Sequence, residues 1–358
     1  MSRAVRVLVV DDSALMRKLI PQVIERDTSI QVVGTAMDGE FAMKKIAELQ
    51  PDVVTLDLEM PRMDGMETLR QIMRHFPIPV IVVSAHSTEG ASATFKALGL
   101  GAFDFVAKPR DVLAAQMDDI AFDLIAKIKA AASRSNRPRS VVDYASVHKK
   151  VQKGQVRRPL ASRVVAIGIS TGGPNSLQLV LSQLPGDFPG AIIVVQHMPE
   201  GFTELFARRL DECCAIDVKE ASSGDLLLAG RALICPGNRH IRVHKLPAGN
   251  VISLNEESRV NGHRPSADVL FRSVAEEFGR DAVGVIMTGM GEDGAAGLLE
   301  MRSAGALTLA QDEQSSVVFG MPRAAIERGA ALRVVPLDGI SGALQNCAAE
   351  WPRPTTRV

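Results

Sequence analysis

Three side chains with complementary chemistry follow apolar runs in the second half of the chain. They are Ser170, His197 and Asp293, which come after the runs 164–169, 191–196 and 282–288. If these runs are strands of one parallel sheet, their ends share an edge, so residues 27 and 96 positions apart along the chain can meet there. A serine, a histidine and an aspartate so placed provide a nucleophile, its general base and the carboxylate that orients the imidazole. The pattern predicts a hydrolytic site.

The sequence around Ser170 supports two interpretations. The segment GISTG (168–172) fits the GxSxG pattern, in which flanking glycines permit a tight turn and close approach of a substrate to backbone N–H groups. A strand that leads through a serine and glycines into a helix also suits a phosphate at the helix N-terminus. A serine in this position is, taken alone, most often a helix cap. The order Ser, His, Asp differs from the Ser, Asp, His order of α/β-hydrolases, so that fold is not expected.

A glycine-rich segment in the same half resembles a dinucleotide-binding turn. Residues 289–294 read GMGEDG, a GxGxxG pattern after an apolar run, and Asp312 follows about 20 residues later. Glu292 and Asp293 would place carboxylates where a pyrophosphate should bind, and charge repulsion disfavours that ligand. About 45 residues remain after Asp312, too few for a second nucleotide-binding half. The hydrolytic interpretation is therefore favoured.

Polar residues also end the apolar runs in the first half of the chain. Asp11 and Asp12 follow the first run, Asp57 the third, Ser84 the fourth and Lys108 the fifth. Three carboxylates at one sheet edge repel one another unless a hard cation lies among them, and Mg²⁺ prefers such oxygen ligands. A hydroxyl and an ammonium aimed at the same point complete a site for phosphoryl transfer to a carboxylate. Five strand-end positions in one pattern disfavour the alternative of helix caps and a surface lysine.

Both halves of the chain show the alternating strands and helices needed to position these side chains. In the first half, strands are predicted at 5–10, 31–35, 53–56, 80–83 and 103–106, with helices at 14–25, 39–48, 65–75, 92–98 and 111–131. This order predicts a five-stranded, parallel, flavodoxin-like α/β domain. In the second half, runs at 164–169, 191–196, 231–235, 282–288 and 306–310 predict a doubly wound, mostly parallel, Rossmann-like α/β domain. A helical pattern at 175–184 follows Ser170. The alternating segment 240–246 predicts a further strand, and no cysteine or acid joins His240 and His244 in a metal-ligand set.

The composition is that of a soluble α/β protein, with 46% hydrophobic and 23% charged residues. Aromatic residues make up only 4%, which leaves no platform for stacking nucleic-acid bases. Four cysteines without a CxxC spacing indicate a reducing, cytoplasmic setting. No apolar run approaches the roughly 18 residues expected of a membrane helix, and no signal peptide is evident, so membrane insertion is not expected.

The formal net charge of 0 conceals an uneven distribution. Residues 1–130 carry a net charge of −3, residues 131–160 of +7 and residues 161–358 of −4. The basic segment has few core-forming residues and is predicted to be a flexible linker. A basic run can also be a DNA-binding arm, but no helix–turn–helix pattern follows, so no DNA partner is expected. The predicted domains are therefore 1–130 and 161–350, joined by the linker 131–160 and followed by a tail at 351–358.

About residues 4–125 resemble a two-component receiver domain. The stretches that carry the resemblance are VVDDS (9–13), LDLEMPRMDG (56–65), SA (84–85) and FVAKP (105–109). The resemblance implies that Asp57 is the phosphoacceptor, and that Asp11, Asp12, Asp57 and the main-chain carbonyl of Glu59 hold Mg²⁺. It also implies that Ser84 and Lys108 contact the phosphoryl group and that Phe105 is the switching aromatic residue.

Residues 161–340 resemble the catalytic domain of the chemotaxis protein-glutamate methylesterases, the CheB family. The matching stretches are GISTGGP (168–174), VVQHMPEGFT (194–203), CPGNRHI (235–241), HRPSADVLF (263–271), GVIMTGMGEDGAAG (284–297) and VVFGMPRAA (317–325). The resemblance implies the roles of nucleophile for Ser170, general base for His197 and orienting carboxylate for Asp293. It makes Thr171 and the backbone of Met290 contributors to an oxyanion hole, and it requires no cofactor for the esterase reaction.

Together the two resemblances imply a serine hydrolase that is activated by phosphorylation and acts on methyl-accepting chemotaxis receptors. It would remove methyl groups from glutamyl esters and deamidate glutamines, with a chemotaxis histidine kinase as phosphodonor. Ile169 and Glu292 depart from the Ala and Asn expected in the family, and Glu292 adds a charge beside Asp293. Two alternatives stay open at this point: a receptor-binding regulator without enzyme activity, and a methylesterase that serves a non-flagellar signalling array.

Overall fold

The computed structural model describes residues 3–85, 87–108, 114–134 and 158–351. Its contacts divide the chain into two compact units, Met1–Arg139 and Ser140–Val358. The predicted linker and tail lie largely outside the described residues, and the predicted domain limits stay predictions. Residues 158–160 pair with the second unit, since Arg158 forms an ion pair with Asp217 and the nitrogen of Ala229 donates to the carbonyl of Pro159.

The first unit contains five strands and five helices in strict alternation. They are β1 (Val5–Val10), α1 (Ala14–Ile24), β2 (Ile30–Ala36), α2 (Gly39–Leu49), β3 (Val53–Asp57), α3 (Gly65–His75), β4 (Val80–Ser84), α4 (Thr88–Gly99), β5 (Asp104–Ala107) and α5 (Ala114–Arg134). The strands form one parallel sheet in the order β2-β1-β3-β4-β5, as the sequence pattern predicted. Strands β3 and β4 are wholly buried because helices cover both faces of the sheet.

The second unit is built on a seven-stranded, all-parallel sheet. Its elements are β6 (Val164–Ile169), α6 (Gly173–Ser182), β7 (Ala191–Gln196), α7 (Thr203–Cys213), β8 (Asp217–Glu220), β9 (Arg231–Ile234), β10 (His240–His244), β11 (Val251–Asn255), α8 (Ala267–Phe278), β12 (Ala282–Ile286), α9 (Ala295–Ser303), β13 (Leu307–Gln311), α10 (Met321–Glu327), β14 (Arg333–Val335) and α11 (Leu337–Ala349). The sheet order is β14-β13-β12-β6-β7-β9-β8, and β10 and β11 form a separate antiparallel hairpin. The predicted doubly wound α/β fold is therefore confirmed.

Close packing of α8 on the sheet depends on glycine at two positions. A Cβ at Gly168 in β6 would lie 2.7 Å from the Cβ of Ala267, and one at Gly297 in α9 would lie 2.8 Å from the Cβ of Phe271. Both distances are far below van der Waals contact, so only glycine lets α8 approach β6 and α9 this closely. This packing brings the N-terminus of α8 to the edge of the sheet where β6, β7 and β12 end.

Candidate active site and phosphoacceptor site

Strand register places Ser170 beside His197. In the parallel pair β6–β7, Ile169 lies opposite Gln196, so the next residues along the two strands are Ser170 and His197. Neighbouring strands are about 4.8 Å apart, which brings the two side chains within reach of each other. Gln196 fixes the turn after both strands, because its Nε2 donates to the carbonyls of Ser170 (3.0 Å) and His197 (3.1 Å).

The imidazole of His197 is oriented by Asp293, which arrives from the loop after β12. His197 Nε2 lies 2.9 Å from Asp293 Oδ2, and both side chains are buried. A carboxylate acceptor favours the tautomer with the proton on Nε2, which leaves the lone pair on Nδ1. Nδ1 is itself buried and makes no hydrogen bond to any residue that the structure describes. It is therefore the nitrogen available to accept a proton from a nucleophile.

Asp293 also lies at the N-terminus of α8. Its carboxylate accepts hydrogen bonds from the backbone nitrogen of Ala267 (2.6 Å), the hydroxyl of Ser266 (2.6 Å) and the amide of Asn261 (3.0 Å). Burial by itself would raise the pKa of Asp293, but the interactions with His197 and these hydrogen bonds outweigh it and hold the pKa well below its usual range. The carboxylate thus caps α8 and remains ionised beside the imidazole.

A second imidazole covers the first. The rings of His263 and His197 are stacked, with centroids 3.9 Å apart and planes within 10°. Burial, followed by the proximity of His197, lowers the pKa of His263 to about 4, so this ring is neutral at pH 7. A neutral ring is apolar on its face and restrains the imidazole of His197 without adding a competing positive charge.

The two predicted oxyanion contributors border the same turn. Thr171 is buried, and the carbonyl of Thr171 accepts a hydrogen bond from Thr288 Oγ1 at 3.0 Å. The backbone nitrogens of Thr171 and Met290 donate no hydrogen bond within the described part of the chain. The nitrogen of Ser170, in contrast, donates to the carbonyl of Thr288 at 2.9 Å and is not available.

The glycine-rich turn 289–294 packs against Ser170 and carries Asp293. A Cβ at Gly289 would lie 2.7 Å from the Cβ of Ser170, so glycine there allows the turn to pack against the serine. Glu292 points outward to an ion pair with Arg328, which offsets the additional charge that the sequence placed beside Asp293. Gly291 and Gly294 adopt positive φ angles of 81° and 88°, which residues with a Cβ rarely adopt.

Sequence reasoning did not identify the residues that support Asp293 and His197. His263 and Ser266 lie in the stretch HRPSADVLF, which carried the family resemblance but had no roles attached to it. Asn261 gave no signal because it lies in an irregular segment, with φ of 53°, whose path cannot be read from periodicity. Its amide bridges Asp293 and the buried Asp268, at 3.0 and 2.8 Å.

In the first unit, the predicted phosphoacceptor site is assembled at the ends of β1, β3 and β5. One carboxylate oxygen each of Asp11, Asp12 and Asp57 lies within 4.8 Å of the others. Lys108 Nζ lies 2.7 Å from Asp57 Oδ2 and 2.9 Å from Asp11 Oδ2. Burial raises the pKa of Asp57, and the pairing with Lys108 offsets this only in part. Burial lowers the pKa of Lys108, but its two carboxylate partners outweigh it and raise the pKa.

The donor set fits a hard divalent cation. Asp11 Oδ2 is buried and, within the described residues, accepts no hydrogen bond of good geometry. Oxygen ligands at this spacing suit Mg²⁺, whose charge would relieve the repulsion among the three carboxylates. Glu59 lies exposed after β3, and its backbone nitrogen donates to Asp57 Oδ1 at 3.2 Å. Elsewhere in the described residues, including around His240 and His244, no comparable group of potential metal ligands is present.

The remaining predicted receiver residues border the site but do not all face it. Ser84 ends β4, and its hydroxyl donates to the carbonyl of Gly90 at 3.0 Å. Phe105 in β5 is buried and packs edge-on against Phe95, with ring centroids 6.2 Å apart. Lys127 Nζ lies 5.5 Å from the centroid of the Phe105 ring. The Phe105 ring is therefore buried, and the Ser84 hydroxyl is bonded to the first turn of α4.

The two units define a receiver domain and a parallel α/β hydrolase-type domain with a Ser–His–Asp arrangement. Residues 7–117 match the response regulator receiver domain family and residues 165–344 match the CheB methylesterase family. The chain is 62% identical to a protein-glutamate methylesterase/protein-glutamine glutaminase of Koribacter versatilis, and the match covers 95% of each chain. It is 48% identical to a protein of the same name from Symbiobacterium thermophilum, and that match covers 97% of this chain and 98% of the relative. The chain therefore belongs to the CheB methylesterase family with an N-terminal receiver domain.

A solved structure supports the assignment of the second unit. The catalytic domain of the Thermotoga maritima CheB methylesterase is 38% identical and superimposes with a TM-score of 0.51, covering 52% of this chain and 98% of that domain. Among the residues that the structure describes, no helix is both long enough and apolar enough to cross a bilayer.

Proposed function

We propose that this protein hydrolyses glutamyl methyl esters on methyl-accepting chemotaxis receptors and deamidates glutamines there. The observation that carries the proposal is the contact between His197 Nε2 and Asp293 Oδ2. His197 lies beside Ser170 at the ends of neighbouring strands, and the chain belongs to the CheB methylesterase family. The predicted alternative of a binding module without activity has no use for an ionised carboxylate and an unpaired imidazole nitrogen buried beside a serine. The proposed location is the cytoplasm.

In the proposed reaction the Ser170 hydroxyl attacks the ester carbonyl while His197 Nδ1 takes its proton. Asp293 stabilises the imidazolium that forms. Collapse of the tetrahedral intermediate breaks the bond to the methoxy group, which leaves as methanol with the proton from His197. A water molecule then attacks the acyl-serine with His197 as base, releasing a glutamate carboxylate and restoring the serine. Deamidation follows the same course with ammonia as the leaving group.

The oxyanion of the intermediate is proposed to be stabilised by the backbone nitrogens of Thr171 and Met290. Their lack of other partners within the described residues supports this assignment. Backbone donors are fixed before the substrate arrives, so they require no reorganisation when the charge develops. The turn at Gly289 allows the segment that carries Met290 to lie against Ser170.

Control of this activity is assigned to the receiver domain. We propose that Asp57 accepts a phosphoryl group from a chemotaxis histidine kinase, and that Ser84 and Lys108 contact that group once it is bound. Asp11, Asp12, Asp57 and the carbonyl of Glu59 would hold Mg²⁺, which neutralises charge on the transferring phosphoryl group. Phe105 would act as the switching residue. The biological consequence proposed is adaptation in chemotaxis signalling.

The test is methanol release from methylated receptor, measured for the wild type and for Ser170→Ala, with and without a small-molecule phosphodonor. Loss of the nucleophile is expected to lower the rate roughly 10⁴–10⁶-fold. Ser182→Ala, which removes a hydroxyl from α6 that donates only to the carbonyl of Leu179, is the matched control and should retain full activity.

The same assay distinguishes the hydrolase activity from its regulation by phosphorylation. Asp57→Asn should retain basal methanol release but lose stimulation by the phosphodonor, since its amide cannot be phosphorylated. Equal activity of Ser170→Ala and wild type would disprove the hydrolase. Stimulation that persists in Asp57→Asn would leave the hydrolase intact and disprove the phosphorylation switch.

A further inference from the structure

A cavity of about 410 Å³ lies in the second unit at the edge of the sheet opposite the catalytic residues. It is bordered by the beginnings of β12, β13 and β14, by Arg163 just before β6, and by the end of α11. Ser170 follows the last residue of β6, so the six-residue strand separates the two sites by about 20 Å. The volume falls in the range typical of sites for small molecules.

Three arginines are among the residues that line this cavity: Arg163, Arg280 and Arg333. Arg163 forms an ion pair with Asp281, whereas the side chains of Arg280 and Arg333 form no hydrogen bond or ion pair with any of the described residues. Glu350 is the only acid among the described residues of the lining. The cavity therefore has an excess of positive charge, and two of its cations are available to a ligand.

The ends of two helices favour positive charge at this cavity but leave the guanidinium donors without partners. Arg280 lies two residues after the end of α8, where a cation is favoured by the helix dipole. Arg333 begins β14, and the last turn of α11 borders the same cavity, so a helix dipole favours a cation there as well. The dipole supplies no partner for the hydrogen-bond donors of either guanidinium. Guanidinium groups suit the oxygens of a phosphate, which they can bind in pairs of parallel hydrogen bonds.

The cavity wall also carries the single tryptophan of the chain, Trp351. Its ring packs edge-on against Phe188, with centroids 6.0 Å apart. A Cβ at Gly190 would lie 2.6 Å from Trp351 Cζ3, so glycine at that position makes room for the indole. The indole is therefore held in place beside the arginines, and its fluorescence is sensitive to binding in this cavity.

We propose that this cavity is a second binding site, which takes a ligand bearing two or three linked phosphate groups. Arg280 and Arg333 bind the phosphate oxygens, and Arg163 extends the positive surface. The phosphate chain is either free, as an inorganic polyphosphate, or attached to a nucleoside. The site is distinct from the hydrolytic centre and does not depend on the function proposed for it.

The test is titration of the full-length protein with sodium tripolyphosphate and, separately, with ATP, followed by Trp351 fluorescence and by isothermal titration calorimetry. Saturable binding of either probe is expected. In the double variant Arg280→Gln/Arg333→Gln, the affinity should fall by roughly tenfold or more for each guanidinium removed. Binding of tripolyphosphate as strongly as ATP identifies the phosphate chain as the ligand, and a preference for ATP identifies a nucleotide.

The matched control is Arg70→Gln/Arg208→Gln, which removes the same charge from exposed ion pairs on α3 and α7. It should bind both probes with wild-type affinity. Methanol release by the double variant Arg280→Gln/Arg333→Gln should equal that of the wild type, which shows that the protein is folded. No heat and no fluorescence change with either probe would overturn the proposal, as would equal affinity of the wild type and the double variant.

Discussion

Asp293 shows how one residue serves both the fold and the chemistry. Its carboxylate accepts hydrogen bonds at the N-terminus of α8, from Ala267 and Ser266, and also orients His197. The helix N-terminus favours a negative charge and adds to the interaction with His197 that keeps the carboxylate ionised. The side chain of Ser266, which precedes α8, forms no capping hydrogen bond. Asp293, which lies in the loop after β12, caps the helix instead.

The lowered pKa of Asp293 predicts a specific dependence of stability on pH. A carboxyl whose pKa is lower in the folded state stabilises the fold above its ordinary pKa of 3.8, and this contribution is lost as the pH falls toward the folded pKa. In Asp293→Asn the free energy of unfolding should therefore fall less steeply with acid below pH 3.8 than in the wild type. Denaturant unfolding followed by Trp351 fluorescence across this range measures the slope.

Asp268 provides a control, because its pKa shift has the opposite sign to that of Asp293. Burial, together with the charge of Asp293, raises its pKa despite a hydrogen bond from the nitrogen of Gly297. Its contribution to stability is present below its ordinary pKa of 3.8 and is lost as the pH rises through the folded pKa. In Asp268→Asn this loss of stability with rising pH should be absent. Identical pH slopes for the wild type and both variants would contradict the assignment of these shifts.

At the scale of elements, a half-buried lysine of α5 contacts β5. Lys127 Nζ donates to the carbonyl of Phe105 at 2.6 Å and to Asp123 at 2.9 Å, and lies 3.6 Å from Asp104. Burial lowers the pKa of Lys127, but the two carboxylates outweigh it and raise the pKa, so the side chain is charged. The ammonium satisfies the main-chain carbonyl of Phe105, the proposed switching residue.

Removal of this ammonium should destabilise the receiver domain. In Lys127→Met the carbonyl of Phe105 and the carboxylate of Asp104 lose a partner while buried, which costs roughly 1–3 kcal/mol in the free energy of unfolding. The exposed neighbour Lys129, paired with Asp27 at 2.9 Å, is the matched control. Lys129→Met should cost less than about 1 kcal/mol.

The measurement is urea unfolding of the full-length variants, followed by far-ultraviolet circular dichroism. If Lys127→Met and Lys129→Met lowered the free energy of unfolding equally, the Lys127 contacts would be no more stabilising than an exposed ion pair, and the prediction would be wrong. The phosphodonor stimulation of Lys127→Met provides a second readout, because it also tests whether the anchoring of Phe105 affects the switch.

In the second unit, the sequence predicted the central strands but not the edge strands β8 and β14. Strands such as β6 and β7 are continuous buried runs, so composition alone identifies them. The strands β8 and β14 lie at the two edges of the sheet, with the sequences DVKE and RVV and mostly exposed or half-exposed side chains. An edge strand packs on fewer neighbours, so it needs no apolar pattern and leaves no periodic signal.

At the scale of the whole molecule, the two chemistries are confined to separate units. The acidic cluster of Asp11, Asp12 and Asp57 lies in the first unit, and the arrangement of Ser170, His197 and Asp293 lies in the second. Each unit has its own buried hydrophobic core. No group of potential metal ligands accompanies the Ser–His–Asp arrangement among the described residues.

This separation predicts different responses to removal of divalent cations. Chelation with EDTA should abolish the stimulation of methanol release by a phosphodonor, because the carboxylate cluster loses the ion that assists phosphoryl transfer. Basal methanol release should be unchanged, since the residues proposed for hydrolysis act without a metal. Steady-state rates with and without EDTA, followed by addition of Mg²⁺ in excess, measure both effects. Loss of basal activity on chelation would contradict the proposed mechanism.

The sequence by itself determined which side chains end the strands of two parallel sheets, because buried β-branched runs and the polar residues that follow them are local features. The tertiary structure alone decided which nitrogen of His197 faces Asp293, and that Asp293 caps α8 and His263 stacks on His197. These contacts join segments that lie dozens of residues apart along the chain. They are set by the packing of α8 against β6 and α9, and such packing leaves no periodic trace in the sequence.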